Sequence, residues 1–147
     1  MRNVDNVKFV VLGEPYGKGR PKFRKVGCRT QTYTPEKTIN YESLIKMEYQ
    51  AQCHGQRFEK DDALGMLIIA YKPIPLSTSK KKSKLMLGKL LYPGKKPDWD
   101  NIAKVYCDAL NGIAFCDDNQ IVDGRVLKLY SDVPRVEVKL WRLGTNG

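Results

Sequence analysis

The chain has a single histidine, His54, and four cysteines, Cys28, Cys53, Cys107 and Cys116, with no Cys-x-x-Cys pair among them. A structural zinc site draws on closely spaced ligand pairs, so zinc-finger chemistry is set aside and the thiols read as reduced and mostly buried. His54 reads as a helix-end residue rather than a general base. The longest apolar run, Leu64 to Tyr71, is too short to span a bilayer, and the first residues lack the apolar stretch of a signal peptide, so the expectation is a cytoplasmic protein with no membrane partner. No repeat or Gly/Ser linker divides the 147 residues, which predicts one domain over 1–147.

Acid is missing from two long stretches. Gly17 to Lys25 contains none, and from Ala63 to Pro97 there is none either, although Lys72, Lys80, Lys81, Lys82, Lys84, Lys89, Lys95 and Lys96 all fall there. Over the chain, 26 Lys and Arg face 16 Asp and Glu, a formal charge of +10. Such a surplus favours polyanionic partners. A lysine run alone is ordinarily a solvated face, but two basic segments leading toward a cluster of carboxylates read as a phosphate-contacting rim. Its candidate contacts are Arg20, Lys22, Arg24, Lys25, Lys80, Lys81, Lys82, Lys84, Lys95 and Lys96.

The patterning predicts an α+β fold with a mixed sheet, two main helices and a C-terminal hairpin. Val7–Leu12 reads as a first strand ending at Gly13, and the Gly- and Pro-bearing basic segment after it as a loop or edge hairpin. Thr34-Pro35 offers a capping hydroxyl and a first-turn proline for a helix running to about Cys53. Leu64–Tyr71 is apolar enough for a strand buried on both faces. Ile102, Val105, Tyr106, Ala109 and Leu110 repeat at i, i+3, i+4, i+7 and i+8, the buried face of a second helix capped by Asp100 and closed by Asn111-Gly112. Ile113–Phe115 reads as a short strand and Asp117–Gln120 as a polar turn. The hairpin arms run from Ile121 to Tyr130 and from Arg135 to Trp141.

The acids that remain are concentrated. Asp98 and Asp100 flank Trp99 after Pro97, Lys104 lies one helical turn on, and Asp117-Asp118 follow the helix. Carboxylates held together repel, and a bound cation relieves the repulsion. Mg2+ suits few carboxylates with water and substrate phosphate completing its shell. Taken singly, Asp100 is also a good cap, Lys104 and Asp108 an exposed i,i+4 pair, and Asp117-Asp118-Asn119 a good turn.

Lys96-Pro97-Asp98-Trp99-Asp100-Asn101 with Lys104, then Asp108-Ala109-Leu110-Asn111-Gly112, then Asp117-Asp118-Asn119-Gln120-Ile121 and Lys128, resembles the RusA family of Holliday junction resolvases. Gly19-Arg20-Pro21 and Thr32-Tyr33-Thr34-Pro35 extend the likeness toward the N-terminus. The resemblance implies a small α/β homodimer that nicks four-way DNA junctions in symmetric pairs during recombination and repair. It also implies dependence on Mg2+, with Mn2+ as a substitute, and an origin in bacteria or their phages and prophages. Carried over by motif, Asp98, Asp100 and Asp118 are the metal-binding carboxylates and Lys104 the catalytic lysine, with Asn101 and Asp117 in supporting positions.

Three other readings compete. Pro97-Asp98 with Glu137-Val138-Lys139 superficially matches the restriction-type nuclease pattern. A less selective metal-dependent nuclease would use the same carboxylates without junction preference. A non-catalytic DNA- or RNA-binding protein would use the lysines for phosphate and the aspartates as caps. In that case Tyr16, Phe23, Tyr33 and Tyr92 either stack on unpaired bases or belong to strand edges.

Overall fold

The computed structural model describes residues 4–19 and 21–147; Arg20, one of the expected DNA contacts, lies outside the described residues. Four strands, β1 (Asn6–Leu12), β4 (Asp62–Pro73), β5 (Ile121–Ser131) and β6 (Arg135–Thr145), form one mixed sheet in the order β1-β6-β4-β5. β6 runs antiparallel to both β1 and β4, whereas β4 and β5 are parallel. A separate two-stranded hairpin, β2 (Lys22–Val26) with β3 (Arg29–Tyr33), carries the first basic segment.

Three helices complete the fold: α1 (Glu36–Cys53), α2 (Lys80–Leu87) and α3 (Trp99–Leu110). In β1 the alternating residues Val7, Phe9 and Val11 are buried, and α1 presents Tyr41, Ile45, Tyr49 and Cys53 at four-residue intervals, the stripe a helix must bury. The Phe9 and Tyr49 rings meet edge to face, 5.5 Å between centroids. α3 adds Ile102, Val105, Tyr106, Ala109 and Leu110, all fully buried and all on the predicted face. Full burial of each large apolar side chain is worth roughly 1.5–3 kcal/mol, so this helix is firmly seated. Across the sheet, Gly65 leaves room for the Trp141 ring, onto which any Cβ at that position would fall.

Four details differ from the sequence reading. The C-terminal hairpin does not form: β5 and β6 are adjacent in sequence but β4 lies between them. The apolar β4 is better satisfied with a partner on both edges, and Arg135 pins the connecting bend by donating to Ser131 Oγ at 3.1 Å and Val133 O at 2.9 Å. The Lys80 segment is a third helix, started by Ser79 Oγ accepting from Lys82 N. Ile113–Phe115 is a tight bend rather than a strand, closed by Gly112 N donating to Phe115 O at 2.8 Å. At the start of α1, Pro35 itself occupies the cap position without a side-chain cap bond, one residue later than predicted, and His54 ends the helix in the left-handed conformation, φ 55°.

Candidate active site

α3 begins two residues earlier than its sequence suggests. Asp98, not Asp100, occupies the cap position with extended backbone (φ −69°, ψ 152°), and its carbonyl accepts from Ile102 N at 3.1 Å. Its carboxylate caps nothing. Asp100 lies in the first turn, so the two acids are placed by a helix start rather than by strand alternation. Acids in this position are favoured by the helix dipole, which lets the fold keep them without spending their oxygens on backbone. Both are exposed and make no hydrogen bond or ion pair among the described residues.

Asp98 borders a cleft of about 390 Å3 shared with Lys18, Lys72, Lys96 and Asn101. Lys128 also feels Asp98; its ammonium pKa is lowered by burial and by the neighbouring charge of Lys72, against the pull of the carboxylate. Lys128 donates to Lys95 O at 2.6 Å, and Lys72 pairs with Glu14 at 2.9 Å. A carboxylate therefore sits among several lysines, a setting that concentrates phosphate around it.

Lys104 is exposed and unpaired among the described residues, because its expected partner Asp108 is taken by another lysine. Lys18 Nζ reaches Asp108 at 3.1 Å and Glu42 at 2.9 Å. Burial lowers the Lys18 pKa, but the hydrogen bonds and charges of Glu42 and Asp108 outweigh that effect and raise it overall. The same segment is anchored residue by residue. The Tyr16 ring packs on Tyr41 at 5.3 Å, Lys18 N donates to Asn101 O at 2.9 Å, and Gly19 N donates to Thr38 Oγ1 at 3.1 Å. At Gly17 a Cβ would come within 2.9 Å of both Pro97 and Asn101, so glycine permits the close approach. This strap joins the basic hairpin to the helix that carries the acids, and the role of Asn101 in it is made by its backbone. Lys18 and Lys72 were not among the predicted site residues; their partners are remote in sequence, and only the acid-free context marked them.

Asp117 and Asp118 part company. Asp117 caps a single 3-10 turn, Asp118–Gln120, accepting from Asn119 N at 3.3 Å. Gln120 is buried beneath it; its oxygen accepts from Cys116 N at 2.9 Å and its nitrogen donates to Glu59 O at 2.9 Å and Asp62 O at 3.0 Å. Asp118 is exposed, without hydrogen bond or ion pair among the described residues, and lines a notch with Trp99, Ala103 and Cys107 of α3. There its charge, with burial as the larger cause, pushes the Cys107 thiol up to about 12, while Lys104 pulls it down. Asp118 and Lys104 thus act on one neighbour.

Among the described residues no three His, Cys, Asp or Glu side chains converge closely enough to hold a metal ion. The donors nevertheless fit Mg2+ chemically: hard, exposed carboxylate oxygens, two of them within three residues, with the remaining positions left to water and phosphate. Glu137 fits the restriction-type alternative poorly. It pairs with Arg135 at 2.9 Å and lines a cleft with Lys8 and Gln52, not the one bordered by Asp98.

Lys22, Arg24 and Lys25 on β2, Lys80, Lys81, Lys82 and Lys84 on α2, and Lys95 and Lys96 are all exposed. Lys82 and Lys95 line one groove, and Lys96 borders the Asp98 cleft, so the basic rim continues to the acids. Tyr16, Phe23, Tyr33 and Tyr92 are exposed as well, with Arg24 stacked 5.2 Å from the Tyr33 ring centre.

Comparison with known proteins identifies the family. The chain is 37% identical over 140 residues to the uncharacterized protein YqaN of Bacillus subtilis (strain 168), a match covering 93% of this chain and 96% of that protein. Residues 13–141 match the family model described as endodeoxyribonuclease RusA. A match over most of the chain, spanning the strap, both acidic segments and the first part of β6, shows that this protein belongs to the RusA endodeoxyribonuclease family.

Proposed function

We propose that this chain, as one domain over 1–147, is a Mg2+-dependent endonuclease that resolves four-way DNA junctions by symmetric paired nicks in recombination and repair, working as a homodimer in the cytoplasm. The observation that carries this reading is the set of side chains kept free. Asp98, Asp100, Asp118 and Lys104 are exposed and uncommitted among the described residues, while their neighbours Asp108, Asp117 and Gln120 are used in structure. The basic rim would bind the backbone and bring a phosphate to the helix start. Asp98, Asp100 and Asp118 would hold Mg2+, with Mn2+ as a substitute; such an ion polarises a phosphodiester and acidifies a bound water. Lys104, placed one turn beyond Asp100 and free of its former candidate partner, would stabilise charge gathering on the phosphoryl oxygens. Asn101 would hold the strap through its backbone carbonyl, and Asp117 would fix the turn that presents Asp118.

Paired nicks require two active sites on one junction, the basis for proposing a twofold dimer. The test compares a mobile four-way junction with linear duplex, each with Mg2+ or EDTA, using wild type and Asp100→Asn. Symmetric Mg2+-dependent nicks in the junction alone, lost in the variant, are expected. Equal cutting of both substrates would indicate a less selective nuclease, and tight binding without product a nucleic-acid-binding protein that does not cut.

A further inference from the structure

Trp99 stands between Asp98 and Asp100 and is 57% exposed, yet its indole N–H donates to Val126 O at 3.2 Å. A large aromatic ring left in water forfeits most of its burial energy, and pinning it gives up rotamer freedom as well. The fold needs neither, since the buried face of α3 is complete without it. Beside the ring is a notch of about 200 Å3, with the buried side chains of Met66 and Ile68 at its base and Ala103 and Gly124 in its walls. Asp118 and Arg125, both exposed, also belong to the lining. Arg125 makes no hydrogen bond or ion pair among the described residues.

We propose that this notch receives one unstacked nucleobase of the DNA strand beside the phosphate to be cut, with Trp99 as its stacking platform and Arg125 as a polar contact. The proposal rests on the nuclease reading above. The notch is smaller than the roughly 300–1,000 Å3 of a drug-sized site and suits a single ring system. A pinned aromatic face takes any base, because every base offers a π-face, and an apolar floor favours a base over its sugar-phosphate. Arg125 and Lys104 supply the charge for the attached backbone. Drawing one base out costs a few kcal/mol of pairing and stacking, which its contacts in the notch would offset. With Trp99 between two candidate metal ligands and Asp118 in the lining, a base seated here would place its own phosphate against the acids.

The test measures binding of the full chain to fluorescent four-way junctions in EDTA, with an abasic residue placed in turn at each nucleotide flanking the crossover. Wild type is expected to lose about tenfold in affinity at one symmetry-related position, the scale of one base–aromatic stack. Trp99→Ala is expected to lose about as much on the intact junction and nothing further at that position. Gly124→Val gives a second route: φ there is not left-handed, and the added Cβ would meet Ile121 Cγ2 at 3.5 Å, an ordinary contact, so the backbone admits a side chain in the wall of the notch. It should reproduce the Trp99→Ala pattern if that variant fails to fold. Losses that multiply at every position, for whichever variant is folded, overturn the proposal while leaving junction binding intact. Wild type that binds junction no better than duplex and cuts neither with Mg2+ would instead remove the nuclease reading beneath it.

Discussion

Two acidic segments flank the same helix and are built in opposite ways. At Asp117–Gln120 the first and last side chains are committed, Asp117 capping the turn and Gln120 reaching from its buried position to Cys116, Glu59 and Asp62, and between them they present the exposed Asp118. At Asp98–Asn101 the helix begins with no side-chain cap, although an aspartate occupies the cap position. A cap bond is worth about 1 kcal/mol, and a sequence that places the right residue there without making the bond has left stability unused. The contrast separates acids that hold the fold from acids that face solvent, and each member can be tested for its side of the division.

The largest effect should come from the free acids. Asp98→Asn, Asp100→Asn and Asp118→Asn are each expected to slow Mg2+-dependent cleavage by on the order of a hundredfold or more, while denaturant unfolding shifts by less than about 0.5 kcal/mol. A variant that loses stability in proportion to activity would move that acid to the structural side. Next comes Gln120→Ala, which strands a buried backbone carbonyl of Asp62 and part-buried groups of Glu59 and Cys116. It is expected to lower stability by about 3 kcal/mol in urea unfolding.

The Lys18 clamp should give a smaller loss. Lys18→Met leaves two half-buried carboxylates facing each other, so unfolding free energy at neutral pH is expected to fall by about 1–2 kcal/mol. Because the Lys18 pKa is raised above 10.5, its contribution is fully present below that value and fades as pH climbs through the raised one. The gap between wild type and variant should therefore close in strong alkali, and a gap independent of pH would assign the loss to packing instead. The smallest effect belongs to the rim. Each of Lys80, Lys81, Lys82 and Lys84 that contacts phosphate should contribute about 0.9 to the log–log salt slope of DNA binding. Neutralising all four should flatten the slope by that amount per true contact, and an unchanged slope would return the run to a solvated face.

Some of this was legible in the sequence because its causes are local. The apolar period of α3, the alternation in β1, the acid-free basic segments and the motif bearing Asp98, Asp100 and Lys104 all lie within short windows. What was missed depends on distant partners. An adjacent strand pair and a crossing pair carry the same turn signals, so the placement of β4 between β5 and β6 could not be read from Ser131–Pro134. α2 buries only Met86 among its eight residues, too little apolar pattern to announce a helix among lysines. Asp108 has Lys104 four residues before it, and only the folded chain shows that Lys18 claims it.

The position of β6 bears on how the molecule comes into being. It is the last strand made, yet it lies inside the sheet, bonded on both sides by β1 and β4. During synthesis the basic arm, the acids and α3 all leave the ribosome before the strand that joins β1 to β4. Contacts so distant along the chain form slowly. The cationic segments thus emerge ahead of the closed sheet, and a chain stalled before Arg135 would expose two unpaired strand edges where the finished protein has a continuous ladder.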